Sequence, residues 1–326
     1  MLVVGAGAAG LAAAQSLAST HSVTVIDKAH GVGGRLATRR IGDATFDHGA
    51  QFFTTHSEEF AERVQEWRTA GVALPWYSGQ VGPTGVVGSE GHTRFRGVDT
   101  MNAVAKHLAL GLDVRLSSCV AALRIVGGTW SVMLEDGSSI LADALVVTPP
   151  VPQSLALLES GDVALSSEDR AALEAITYDP CLALLAPLTG SSGLPEPGAV
   201  APAAMDPVRG PIEWMADNRL KGVSSSPAVT IHATAAFSSR HWDSPDDRVI
   251  AELLAAAELS SPVVDGAAQV QRWRYAKPST LHPHAYLLAT DNPPLVFAGD
   301  AFGGAKVEGA VLSGSAAAVA LARLLG

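Results

Sequence analysis

Three glycines, Gly5, Gly7 and Gly10, follow the apolar run Leu2-Val3-Val4 at the spacing that binds a pyrophosphate. Gly5 permits the tight turn, Gly7 lets phosphate oxygens approach the backbone, and Gly10 lets the next helix pack close on the strand. Ala8 and Ala9 fall where the first helical N–H groups and the positive end of the helix dipole would face an anion. A second β-type run, Ser22 to Ile26, ends in Asp27, an acid able to accept hydrogen bonds from a ribose, with Lys28 beside it. A lone glycine motif would be weak; strand, turn, helix, strand and acid in this order specify a dinucleotide. Gly31, Gly33 and Gly34 then expose backbone N–H groups as an anion nest, and Arg35 follows with a guanidinium shaped for a phosphate.

The remaining chain has to position these groups. Its 326 residues, 48% hydrophobic, suffice for a large core and two domains. A net charge of −10 without a basic stripe argues against nucleic acid as partner. Two cysteines, Cys119 and Cys181, make neither a disulfide framework nor a metal cluster, so no metal is expected and a reducing compartment suits the chain. Residues 1–26 carry no Asp, Glu, Lys or Arg, but they lack a positive leader and the glycines interrupt the apolar run. The expectation is a soluble cytoplasmic protein with no membrane partner.

Ser57 to Gly71 reads as a helix capped by Ser57, with Phe60, Val64 and Trp67 on one face. Residues 72–97 read as strands, and Asp99 or Thr100 caps a helix striped by Met101, Val104 and Leu108. Strands at 112–116, 119–126 and 129–135, the Asp136-Gly137 turn, and the buried run Ala144 to Thr148 follow. Beyond Pro149-Pro150 come short helices near 152–159 and 167–176, a strand from Cys181 to Leu188, a long loop from Thr189 to Pro211, and strands at 212–218 and 228–235. Ser244-Pro245-Asp246-Asp247 starts a helix, with Ser244 as cap and Pro245 at the first position. In Val270 to Tyr275 a period of two places Trp273 and Tyr275 on one face, Arg272 and Arg274 on the other.

Gly5 to Gly10, Asp27, Gly33-Gly34-Arg35, Gly49-Ala50-Gln51-Phe52-Phe53 and the late run Leu295 to Gly314 together resemble the FAD-binding region of the flavin amine oxidase superfamily. The forms Asp-Lys-Ala-x-Gly-x-Gly-Gly-Arg and Gly-Ala-Gln-Phe-Phe-Thr are most similar to its renalase branch, bacterial renalases in particular, as are the stretches around Trp214, His232 and Arg272 to Pro278. Asp27 departs from the glutamate more usual in the superfamily, a change that keeps a ribose acceptor. The resemblance implies an α/β fold: a Rossmann-like FAD-binding domain of the glutathione reductase/p-hydroxybenzoate hydroxylase kind, interleaved with an α+β substrate domain on a mixed or antiparallel sheet. Residues 1–56, 98–150 and 285–326 would form the first, and 57–97 and 151–284 the second.

It also implies non-covalent FAD, since neither cysteine falls in the C-terminal motif. Gly34, Arg35, Ala50, Gln51 and Phe52 would contact the cofactor, with Val120 beside the adenine and Thr148 near the nucleotide. Gly299 and Asp300 would meet the ribityl–phosphate region, and the helix starting near Val307, Glu308, Gly309 and Ala310 would aim its N–H groups at the flavin pyrimidine edge. Renalases are flavin oxidases that convert the 2- and 6-dihydro isomers of NAD(P) to NAD(P)+ by hydride transfer to flavin N5, with O2 as electron acceptor giving hydrogen peroxide. Such a substrate needs little acid–base help, and no catalytic dyad stands out. Trp214, His232 and Tyr275 are the residues expected to line the pocket and orient the nicotinamide, although His232 reads equally well as a hydrogen-bonded strand histidine. Two alternatives stay open: an oxidase of a small amine, and a non-catalytic FAD/NAD-binding regulatory protein.

Overall fold

A computed structural model describes residues 1–88, 91–202 and 210–326. The chain divides into two compact units, the first of residues 1–34, 104–178 and 277–326, the second of residues 35–103 and 179–276.

The first unit is built on a six-stranded sheet in the order Leu287–Asp291, Pro294–Phe297, Leu145–Val147, Leu2–Val4, Thr24–Ile26, Asp113–Arg115. Every pairing is parallel except the edge hairpin of the first two. The central strands Leu2–Val4 and Leu145–Val147 are short and wholly apolar because both faces are covered, one by helices and the other by Leu123, Trp130 and Val132 of an antiparallel sheet. Val3 lies in register with Val146 on one side and Val25 on the other. The crossover helix Ala8–Ala18 and the C-terminal helix Lys306–Leu325 pack against each other. Their approach depends on Gly314, where a Cβ would stand 2.0 Å from the Ala9 carbonyl oxygen. Lys306–Leu325 is long and apolar enough to cross a membrane by length and composition, yet half of it is buried in this packing.

A three-stranded antiparallel sheet (Val120–Val126, Thr129–Leu134, Ser139–Ala142) completes the first unit, turning at Asp136-Gly137 as the sequence indicates. Its Trp130 is fully buried and donates from Nε1 to the Pro294 carbonyl, 2.9 Å. Helices Val151–Glu159 and Ser167–Glu174, read from sequence as the start of the substrate lobe, pack here instead. Val151, Leu155, Leu158 and Leu173 share one core with Leu2, Val4, Leu145 and Phe297, and that burial decides their membership.

The second unit carries a five-stranded sheet in the order Ala199–Val200, Ile212–Asp217, Ala228–Ala233, Tyr178–Pro187, Gln269–Pro278. Strands Tyr178–Pro187 and Ala228–Ala233 alternate. Leu182, Leu184, Ala186, Val229, Ile231 and Ala233 face a core completed by Phe237 of helix Ala235–Arg240 and by Val249, Leu253 and Ala257 of helix Asp246–Ala257. The other face turns Leu185 and Ala228 against Ala44 and Phe46 of the hairpin Thr38–Ile41/Ala44–Asp47. That contact places residues 35–56 in this unit. Helix Glu58–Thr69 begins as expected: Ser57 Oγ accepts from the Phe60 N–H, 3.3 Å, and Phe60, Val64 and Trp67 are buried.

Two local expectations change. Pro245, rather than Ser244, caps helix Asp246–Ala257, because the Ser244 carbonyl is taken by Arg272. The helix Ala235–Arg240, capped by Thr234 Oγ1, is too short to display a helical period in sequence. Within the stretch Thr189 to Pro211, Ala199–Val200 is a short strand and residues 203–209 lie outside the described residues.

Candidate active site

The glycine turn of the first unit has the shape the motif demands. Gly5 sits at φ +104°, and a Cβ there would meet Thr148 Oγ1 at 2.5 Å. At Gly10 a Cβ would stand 1.9 Å from the Gly5 carbonyl oxygen. At Gly7 a Cβ would meet nothing within 4 Å, which leaves open space beside the backbone where a pyrophosphate would lie. Helix Ala8–Ala18 has no side-chain cap and no acid in its first turn, so the N–H groups of Ala8 and Ala9 keep their capacity for an anion. Gly33 donates its N–H to the Ala6 carbonyl, 2.8 Å, and Gly34 approaches Gly7, tying the second glycine loop to the first.

Asp27 has a structural as well as a binding role. Its Oδ2 accepts from the Ala6 N–H at 2.7 Å and its Oδ1 from the Ala29 N–H at 2.8 Å. Each oxygen retains a lone pair for a ribose hydroxyl. Lys28 beside it is exposed. The N–H groups of Ser118 and Ser117 donate to the Asp27 and Ala29 carbonyls, which brings the segment leading to Val120 against this loop. Thr148 Oγ1 donates to the Val4 carbonyl, 2.9 Å, and so locks the turn from the neighbouring strand.

The late motif folds back on itself. Gly299 donates its N–H to Ser313 Oγ, 2.9 Å, and Asp300 beside it is buried. A Cβ at Gly309 would stand 1.6 Å from the Gly304 carbonyl oxygen. Helix Lys306–Leu325 starts without a side-chain cap, so Val307, Glu308, Gly309 and Ala310 form its first turn. These cradles fit a flavin dinucleotide: Gly5 to Gly10 would hold the pyrophosphate, Asp27 the ribose, and Gly299 to Ala310 the flavin end.

The second unit carries Arg35, Ala50, Gln51 and Phe52, and the three residues expected at the pocket. The Ala50 N–H donates to the Arg35 carbonyl, 2.8 Å, and a Cβ on Gly49 would strike that same oxygen, so the two motifs are zipped together. Arg35 reaches the Tyr275 and Ala276 carbonyls at 3.2 and 3.3 Å. Gln51 is buried, donating to the carbonyls of Asp47 (2.7 Å) and Gly49 (3.2 Å) and accepting from Lys221 Nζ (3.3 Å).

Behind this loop lies a buried ion pair that no motif announces. Lys221 Nζ and Asp47 Oδ2 are 2.8 Å apart with both side chains 0% exposed. Asp47 Oδ1 also accepts from Thr38 Oγ1 (2.8 Å) and the Met101 N–H (2.9 Å). Burial lowers the pKa of Lys221, against the pull of Asp47.

On the same face of the sheet an aromatic cluster forms. A bulge between Ile212 and Trp214 shifts the register, so Trp214 opposes His232 and turns away from the core that holds Ile212 and Met215. The Trp214 ring lies 5.3 Å from Phe52, and Trp76 6.5 Å from both. His232 Nε2 is 3.2 Å from the His48 carbonyl, which also accepts from Trp273 Nε1 at 2.9 Å. The His48 ring stacks on Trp273, centroids 5.3 Å apart. Trp214 and His232 are thus brought together, and Tyr275 follows Trp273 two residues along the same strand. Arg274 lies over Trp242 and Arg272 bonds the Trp242 carbonyl, as the period of two requires.

Burial holds both imidazoles neutral, lowering the pKa of His48 and of His232 to about 4. Several buried polar atoms here find no protein partner: His48 Nδ1, Trp214 Nε1, Tyr77 Oη and Arg94 Nε. Native proteins leave few such atoms, and four of them on one cluster make it the candidate ligand site. Sequence reading missed His48, Asp47, Lys221, Trp76, Tyr77 and Arg94; the available signal was a charged residue, Asp47, inside an apolar strand, which calls for a distant counter-charge.

Residues 77–322 match the flavin containing amine oxidoreductase family, and residues 3–67 match the NAD(P)-binding Rossmann-like domain. The chain is similar to renalase of Mus musculus, 26% identical over 338 residues covering 96% of each chain. Among solved structures it resembles putrescine oxidase bound to putrescine (TM-score 0.70, 15% identity, 99% of this chain and 98% of that one). It also resembles a fatty acid isomerase from P. acnes (TM-score 0.68, 13% identity, 97% and 96%). At those identities the likeness to solved structures is one of fold.

Proposed function

Since the chain belongs to the flavin-containing amine oxidoreductase family, within its renalase-like branch, and is an FAD-dependent oxidoreductase, we propose that its substrates are the 2- and 6-dihydro isomers of NAD(P). FAD, held non-covalently, supplies the two-electron chemistry: it takes a hydride from the dihydropyridine and passes the electrons to O2, giving hydrogen peroxide.

One observation carries this reading. Among the described residues of the aromatic cluster, the two imidazoles are neutral, and the Lys221 ammonium beside Trp76 is engaged by Asp47. His48 and His232 have pKa values lowered to about 4, well below the range of an efficient base. The Asp47 carboxylate is occupied by Lys221, Thr38 and the Met101 N–H. An amine enters water as an ammonium ion and must lose a proton before oxidation. A dihydropyridine loses only a hydride, becoming an aromatic cation that flat rings such as Phe52, Trp214 and Trp273 can contact. Its carboxamide offers one acceptor and two donors, matching the unpartnered Trp214 N–H and His48 Nδ1. Likeness to renalase along the whole chain supports the same choice.

Anaerobic mixing of the holoenzyme with each dihydronicotinamide isomer, and separately with putrescine and other small amines, tests the proposal. Rapid bleaching of the flavin bands by the 2- or 6-isomer is expected. Bleaching by amines alone would replace the reading with amine oxidation, and bleaching by neither would point to a binding role. Denatured protein should release all its yellow colour, because no thiol bond retains the cofactor.

A further inference from the structure

Arg94 is partly buried against two aromatic rings. Arg115, Arg170, Arg248 and Arg272 each reach a carboxylate within 2.5–3.1 Å. Arg94 reaches none among the described residues. Strand pairing explains where it goes instead. Tyr77 of Ala73–Tyr77 and Arg94 of Arg94–Gly97 are opposite each other in register, so their side chains share a face. Phe53 pairs with Phe95 next door, which brings Phe52 against Arg94 from the other side. The guanidinium carbon lies 5.0 Å from the Tyr77 ring centre and 5.3 Å from that of Phe52. Its Nη1 donates to the Gly79 and His92 carbonyls, which orient it without cancelling its charge.

Two donors remain at this point, Arg94 Nε–H and the Tyr77 hydroxyl, both buried and both without a protein acceptor. A cation out of full contact with water, with no counter-charge among the described residues and flanked by a second idle donor, matches an oxyanion. A carboxylate side chain would have satisfied it permanently; two aromatic faces hold it flat and leave it available.

We infer that Arg94 and Tyr77 form a phosphate subsite that reads the 5′-phosphate of the nicotinamide half of the substrate. The inference rests on the dihydronicotinamide reading above and adds the part of the substrate that is recognised. Phe52, touched by both Trp214 and Arg94, would lie between ring recognition and phosphate recognition.

The test compares dihydronicotinamide riboside with its 5′-phosphate as reductants of the holoenzyme. A charge-assisted pair of hydrogen bonds predicts a kcat/KM ratio of about 10- to 100-fold in favour of the phosphate, expressed mainly in KM. In Arg94→Met that ratio should collapse to about threefold or less, Arg94→Lys should restore part of it, and Tyr77→Phe should lower it while keeping the ring. A wild-type ratio near one overturns the inference. So does an Arg94→Met enzyme that keeps the preference or loses the same factor on both compounds, since the side chain would then only prop Phe52 and Tyr77. Calorimetric binding of oxidised nicotinamide mononucleotide against nicotinamide riboside separates this from the reaction itself. If no dihydropyridine reduces the flavin, the proposed function fails, and the binding ratio of that oxidised pair in wild type and Arg94→Met still decides the subsite.

Discussion

Replacing Lys221 by Met keeps a long apolar stem and removes one charge from a site that is 0% exposed. The Asp47 carboxylate would then retain two neutral donors, Thr38 Oγ1 and the Met101 N–H, and no cation within bonding distance. Breaking a buried pair from one side costs about 3–5 kcal/mol, because the surviving charge stays desolvated. That is a fall of about 100- to 4,000-fold in the folding equilibrium constant. Asp47→Asn should cost a similar amount by stranding the ammonium. The double variant Lys221→Met/Asp47→Asn removes both charges, and an asparagine can still accept from Thr38 and Met101, so most of the loss should return. With each single variant costing about 3–5 kcal/mol and the double less than half of that, a coupling of about 4–8 kcal/mol between the two positions is expected from urea unfolding followed by tryptophan fluorescence. Lys221 Nζ also meets Gln51 Oε1 at 3.3 Å, so the single variant should hold FAD less tightly as well. A Lys221→Met protein destabilised by less than about 1 kcal/mol would refute the reasoning, as would a double variant no more stable than either single one.

The glycine turn makes a paired prediction. Gly10→Ala drives a methyl into the Gly5 carbonyl and should unsettle the fold even without cofactor, whereas Gly7→Ala meets open space and should leave the melting temperature of the apoprotein within a degree or two while weakening FAD binding at least tenfold. Equal effects of the two in apoprotein melting would refute the assignment. Acid should act through His48, whose folded pKa of about 4 lies below the usual 6.5. Between those values the unfolded chain binds a proton that the folded one refuses, so stability falls as pH drops from 6.5 towards 4, by about 3 kcal/mol at the lower end. His232 adds a slope of the same sign. His48→Leu should flatten the stability–pH curve over that window, and an unchanged slope would mean that His48 titrates normally.

Sequence made the backbone half of this site legible and the side-chain half largely illegible. Gly5, Gly7 and Gly10 act within one turn of chain, and Asp27 ends the strand that follows the next helix, so their spacing carries their geometry. Gly49 could be recognised for a similar reason, closing on the Arg35 carbonyl fourteen residues before it. Lys221 reaches Asp47 across 174 residues, and no local pattern specifies that separation. Trp214 was identifiable as a residue, but the bulge that turns it from the core to the cluster depends on pairing with His232. Domain membership was hardest where short helices were involved: residues 151–178 carry an ordinary amphipathic pattern, and only the shared core with Leu2 and Phe297 shows where they belong.

The same division explains why one fold can serve different reactions. At Gly10, Gly309 and Gly314 the obstacle to a larger residue is main-chain carbonyl oxygen, which cannot move without moving a strand or helix. Cofactor binding is therefore fixed by the framework. In the second unit the strand Ala228–Ala233 gives Val229, Ile231 and Ala233 to the core and Thr230 and His232 to the opposite face. Exchanging His232 on that opposite face leaves the packing of Val229, Ile231 and Ala233 unchanged. A putrescine oxidase and a fatty acid isomerase share the architecture at 13–15% identity.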